Sequence, residues 1–111
     1  SNYLPSQDGD IVDVDTGKVV GRHVGVLYYT IGQRKGLNID HEKGPWFVIG
    51  KDVQKNVLFV CHHTHKEWLY SDSCLVKGIN WMIFLKNAHV NLDIVNQIRT
   101  FILKSLMIQL H

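Results

Sequence analysis

Between Gly32 and Gly36 the chain carries Gln33, Arg34 and Lys35, a planar amide followed by two cations. Glycine lets a backbone turn tightly and come close to a ligand. The three side chains are donors of the kind that hold a phosphate oxygen or the edge of a base. The same residues also make an ordinary solvated turn. A second group is Cys61-His62-His63-Thr64-His65, whose thiol and imidazoles suit zinc. In an extended strand Cys61, His63 and His65 share one face. Three ligands so close together rarely close a tetrahedron, and no second ligand pair follows, so no metal site is expected. Cys61 and Cys74 are the two thiols. A sulfur-carrying thiol needs an electropositive, partly exposed setting. The plainer reading puts Cys61 at a strand end and Cys74 in the core as a small filler. Asp8, Asp10, Asp13 and Asp15 resemble a cation site and, more simply, a solvent face with turn residues. Trp46 and Trp81 read as core. Trp68 reads as a cap on the fold, with base stacking as its alternative.

Short strands must hold these groups. Residues 11–14 alternate and are expected as a strand, residues 15–17 as a turn, and residues 18–22 as the returning strand. Gly25 interrupts the next apolar run, and residues 26–31 are expected to make one irregular helical turn. Residues 37–44 read as a loop. Residues 46–51 are rich in aromatic and β-branched side chains and predict a strand. Residues 52–56 then turn, and residues 57–61 return antiparallel. A loop over residues 62–67 and a further strand over residues 74–81 complete the reading. Strands this short, joined by tight turns, predict a mainly β fold, a small β-roll or barrel with a short helical turn.

The length of 111 residues allows one domain, or one and part of another. A hydrophobic content of 45% excludes a disordered chain and provides a small core. The net charge of +2, with seven histidines, is mildly basic and short of a stand-alone nucleic-acid binder. No apolar run is long enough to span a membrane and none reads as a signal peptide. Two cysteines without a secretory context read as reduced thiols in a cytosol-like compartment.

Five blocks stand in order along the chain. They are Tyr3-Leu4-Pro5 with Gly9-Asp10-Ile11; residues 15–23 (Asp-Thr-Gly-Lys-Val-Val-Gly-Arg-His); residues 29–37 (Tyr-Thr-Ile-Gly-Gln-Arg-Lys-Gly-Leu); residues 45–52 (Pro-Trp-Phe-Val-Ile-Gly-Lys-Asp); and Leu69-Tyr70-Ser71-Asp72 with Ile79-Asn80-Trp81. In this order they resemble the middle of the tRNA-specific 2-thiouridylase family, including its TIGQRKGL block and PWYVVGKD strand. The resemblance implies an SH3-like roll over residues 9–73, preceded by a linker, residues 1–8, from a catalytic domain outside this chain. It makes residues 74–82 the first strand of a truncated C-terminal β-barrel.

The resemblance also implies a reaction: ATP-dependent adenylation of a wobble uridine in tRNA, then sulfur transfer from a cysteine persulfide. That chemistry belongs to an N-terminal domain whose SGGVDS-type loop and catalytic cysteines have no counterpart here. The chain is therefore expected to hold no catalytic residue and no cofactor, ATP and Mg belonging to the catalytic domain, and to be inactive alone. Gln33, Arg34 and Lys35, extended by Arg22, His23 and Lys51, are expected to bind tRNA or dock against the catalytic domain. A sulfur-relay protein acting through the parent enzyme and a cytoplasmic location are implied too. The alternative is a small β-roll for protein contact, with no role in RNA binding.

After Trp81 the resemblance is expected to stop. Residues 87–111 contain no Gly or Pro, and Val90, Ile94, Val95, Ile98, Phe101, Ile102 and Leu106 line one face of a helix. The plain reading of the tail, residues 83–111, is a C-terminal amphipathic helix packed on the roll. A frameshift is its other origin. Read one nucleotide out of frame, permitted codons for residues 91–98 spell Lys-Phe-Arg-Tyr-Arg-Gln-Pro-Asp, the strand with which the family's last domain continues. A tail of either origin can form a helix whose apolar face seeks the edge of the roll or a second copy of the chain.

Overall fold

Asp13 shapes the first reversal of the chain. In the computed structural model, which describes residues 7–39, 46–62 and 72–109, its Oδ1 accepts the Asp15 N–H at 2.9 Å and its Oδ2 accepts the Thr16 hydroxyl at 3.2 Å. Its carbonyl accepts the Gly17 N–H at 2.7 Å. Gly17 has φ +75°, a conformation open to glycine. The reversal joins β1 (Gly9–Asp13) to β2 (Val19–His23) as an antiparallel hairpin in which Asp10 faces Arg22. A helical 3-10 turn, Val26–Tyr28, follows.

The second hairpin pairs β3 (Trp46–Asp52) with β4 (Val57–His62), with Phe47 opposite Cys61. Asp52 Oδ1 accepts the Lys55 N–H at 3.0 Å, and Asn56 takes φ 60° to close the turn. The two hairpins join through a parallel pair, β1 with β4, so the strand order is β2-β1-β4-β3. Strands pair much as the alternation predicts; the parallel pair has no local signal.

Two helices cover what the roll leaves open. They are α1 (Asp72–Ala88) and α2 (Leu92–Gln109). One side of the sheet holds Ile11, Val20, Val26, Tyr29, Trp46, Val48, Leu58 and Val60. On the other side Phe47, Ile49 and Cys61 meet Cys74 and Phe101 of the helices. β3 is buried on both faces, which is why it reads as an unbroken apolar run. Between the helices Leu85, Ile94, Val95 and Ile98 form a third cluster, with Trp81 stacked edge-on to Phe59 at 4.7 Å. Each such side chain, fully buried, contributes about 1.5–3 kcal/mol. α1 ends in a Schellman-type turn, Val90 N–H to Leu85 carbonyl at 3.1 Å, with His89 at φ 57°.

The mainly β class, with a short helical turn and a C-terminal helical tail, is the architecture found. Two expectations are corrected. The strand expected over residues 74–81 is part of α1. Cys74, Gly78, Trp81 and Leu85 recur at helical spacing and form its inward side. As a strand, the same residues would mix Lys77 with Trp81 on one face and Cys74 with Asn80 on the other. The outer strands are partly covered: Ile39 bridges Gly21 on β2, and Val48 and Lys51 on β3 are taken up by the Gly32–Gln33 turn and by Gln97. The thiols expected to be reduced are joined instead. Cys61 and Cys74 lie with Cα atoms 5.9 Å apart and sulfurs at 2.11 Å, both fully buried.

Candidate nucleic-acid interface

Two successive tyrosines point opposite ways at the start of the loop. Tyr28 and Tyr29 donate their N–H groups to the carbonyls of Gly25 and Val26, at 3.0 and 3.2 Å. Tyr29 turns inward, accepts the Val24 N–H on its hydroxyl at 3.3 Å and meets the His23 ring edge-on. Tyr28 turns outward and is 62% exposed.

Residues 30–33 then make a tight turn, with the Gln33 N–H on the Thr30 carbonyl at 2.9 Å and Gly32 at φ 93°. The turn is fixed to the edge of β3 by two backbone bonds, Gly32 N–H to Val48 carbonyl and Val48 N–H to Gln33 carbonyl. The Gln33 side chain is used within the loop. Its Oε1 accepts the Thr30 N–H at 3.0 Å and its Nε2 donates to the Lys35 carbonyl at 2.8 Å. Gln33 therefore staples the loop instead of offering a free amide.

Arg34 and Lys35 are left outward. The Arg34 guanidinium carbon sits 5.9 Å from the centre of the Phe47 ring, a cation–π distance that orients it while it stays exposed. Lys35 is exposed and has no ion pair among the described residues.

The outlying cations are each engaged within the chain. Arg22 Nη1 pairs with Asp10 Oδ1 at 2.7 Å across the first hairpin. His23 is buried: its Nδ1 accepts the Gly25 N–H at 3.0 Å, so Nε2 carries the proton to the Asn56 carbonyl at 2.9 Å. Lys51 Nζ donates to the Tyr29 carbonyl at 2.6 Å, and burial pushes its pKa below the ordinary value. Lys104 of α2, which the sequence reading passed over, donates to the Ile31 carbonyl at 3.2 Å. Two lysines from distant parts of the chain thus hold the backbone just before the Arg34 turn. Nothing local in the sequence marks Lys104 for this. Nothing local singles out Tyr28 either.

The other candidates resolve into structure. Asp10 pairs with Arg22, Asp13 builds its turn, and Asp15 pairs with Lys77 of α1 at 3.0 Å. The sulfur of Cys61 is bonded to Cys74 and offers no thiolate. His63, His65 and Trp68 lie outside the described residues.

The sequence model of the tRNA methyl transferase PRC-barrel domain family matches residues 1–62, which include the four described strands and the Arg34 loop. A tRNA-specific 2-thiouridylase of Mycoplasma capricolum is 52% identical over 96 residues, covering 86% of this chain and 25% of that protein. The chain belongs to the tRNA-specific 2-thiouridylase family. The 2-thiouridylase of Bacillus subtilis is 50% identical over 82 residues, 74% of this chain and 22% of its own length. The chain thus spans about a quarter of the length of these 2-thiouridylases. An alignment of 96 residues necessarily takes in residues beyond Trp81. The likeness to the 2-thiouridylases therefore runs further along the chain than the sequence reading placed it.

Proposed function

We propose that this chain is the central, non-catalytic part of a tRNA 2-thiouridylase and that it helps to hold tRNA while another part of the enzyme acts. The observation that carries the reading is the state of the loop. Arg34 and Lys35 are outward and exposed, on a backbone clamped by Gln33, Val48, Lys51 and Lys104. A rigid loop presenting a planar guanidinium and an ammonium suits phosphate oxygens, which dominate RNA contacts that are not sequence-specific. Adenylation and sulfur transfer would belong to the remainder of the longer relatives, and a cytoplasmic location goes with that role. No described helix is long and apolar enough to cross a membrane.

With a net charge of +2, binding by this chain alone is expected to be weak and salt-sensitive. Labelled tRNA titrated at low salt tests the reading. Arg34→Ala and Lys35→Ala should each weaken binding and lower the salt slope by about one. Binding unaffected by both substitutions would sink the RNA role. A second reading, a protein-contact module, is favoured by the outward face of α1, where Val76, Ile79, Ile83 and Phe84 are exposed. ATP-dependent thiolation of tRNA by the 111-residue chain would overturn its assignment as non-catalytic.

A further inference from the structure

We infer that Tyr28 is a stacking platform for an unpaired base of the bound RNA, working beside Arg34 and Lys35; this rests on the RNA reading of the loop. Tyr29 does the structural work of the pair, filling the core and holding Val24 and Lys51. Tyr28 does none of that work. The residue is 62% exposed and its hydroxyl has no hydrogen bond among the described residues.

An exposed aromatic is common, but this one sits on a fixed backbone. Its N–H is held by the Gly25 carbonyl, the next residue by Val26, and the one after by Gln33 Oε1. A rigid aromatic with two side-chain torsions loses little freedom on contact. The tight turn over residues 30–33 folds the chain back on itself, bringing its first and last Cα atoms within about 7 Å. Tyr28 lies two residues before this turn and Arg34 directly after it. An exposed aromatic and two exposed cations at the two ends of one fixed turn suit a nucleotide, with the base on the ring and the phosphate on the charges. Leu27 and Val24, close by in the sequence, are exposed as well.

The test uses the 111-residue chain and fluorescently labelled tRNA at low salt, with Tyr28→Phe, Tyr28→Leu and Tyr28→Ala beside Arg34→Ala and Lys35→Ala. Stacking predicts that Phe binds within about twofold of wild type, while Leu and Ala weaken Kd by about 5- to 100-fold. The salt slope should stay unchanged in all three Tyr28 variants, because no ion is involved, and should drop in the two cation variants. Leu binding like wild type while the cation variants lose affinity would overturn the inference and leave the RNA reading standing. Phe losing as much as Leu would also overturn it, because the hydroxyl and not the ring would then matter. Affinity insensitive to all five substitutions, or no binding by wild type, would remove the RNA reading and the inference with it. Far-ultraviolet circular dichroism should be the same for every Tyr28 variant, since the side chain is outside the core.

Discussion

The side-chain amide of Gln97 closes on both backbone groups of Lys51. Its Oε1 accepts the Lys51 N–H at 2.6 Å and its Nε2 donates to the Lys51 carbonyl at 3.0 Å. One helical side chain thus does for the edge of β3 what another strand would do. An open edge strand is a template for pairing with other chains. Gln97→Ala should cost about 1–3 kcal/mol by leaving two partly buried groups unmatched. The thermal midpoint would fall by several degrees and the Lys51 amide would exchange faster. An unchanged midpoint together with unchanged exchange would show that the clamp does not hold the edge.

Lys51 gives a dependence on pH with a definite sign. Burial lowers its folded-state pKa below 10.5. Between the folded value and 10.5 the unfolded chain binds the extra proton, so this group makes stability rise with pH in that window. Below the window its desolvation penalty is constant. The difference in unfolding free energy between wild type and Lys51→Met, followed from neutral pH upward, should grow in favour of wild type. A falling difference would contradict the burial of the ammonium.

Two glycines of the first hairpin should respond differently to a methyl group. A Cβ on Gly21 would run into the Asn38 carbonyl oxygen and come within 2.9 Å of the Ile39 Cα. Both obstacles are backbone, so Gly21→Ala should cost about 1–3 kcal/mol. Gly17 has open space around it and only its positive φ at stake, so Gly17→Ala should cost about 1 kcal/mol. Urea denaturation of both variants orders them, and the reverse order would contradict the docking of residues 38–39 on β2.

The bond between Cys61 and Cys74 ties the end of β4 to the start of α1 across 13 residues. Closing a loop of this size is worth about 3 kcal/mol in the chain-entropy account. A reducing agent should lower the thermal midpoint of wild type and leave a Cys61→Ala, Cys74→Ala double variant unmoved. Two free thiols titrated in the native protein would refute the link.

α1 is apolar on both sides, and only one side is packed. Leu85→Ala, inside the helix pair, should cost about 2–5 kcal/mol. Phe84→Lys, at a position 66% exposed, should stay within about 0.5 kcal/mol of wild type. Exposed Val76, Ile79, Ile83 and Phe84 should also make wild type self-associate as concentration rises. Sedimentation equilibrium should show this association and its loss in Phe84→Lys. A wild-type chain that stays monomeric would refute it.

The strands were legible because their signals are local. Ile11 and Val12 are β-branched, Gly17 and Asn56 mark reversals, and the apolar run from Trp46 has few other conformations open to it. The helical turn was announced by Gly25. α1 was not legible in the same way. Val76 and Ile79 are β-branched and fit the strand that the family resemblance suggested, whereas the helical spacing of Cys74, Trp81 and Leu85 shows only over a longer window. The loop stands out in the sequence, but the split within it does not. Gln33 and Arg34 look equally available in one dimension. The difference lies in Thr30 and Lys35, whose backbone groups take up the amide of Gln33 and leave Arg34 to the solvent. Lys104 and the Cys61 link depend on contacts between remote segments, which no local pattern encodes.

The strand order has a consequence for how the molecule comes into being. β1 is synthesised first, yet it lies inside the sheet between β2 and β4. On a growing chain its second edge stays vacant until residues 57–60 arrive, some fifty positions later. Such distant pairing raises contact order and slows closure. The molecule should also tolerate trimming unequally. Removing β2 would take away an outer strand, whereas removing β1 would split the sheet through its middle.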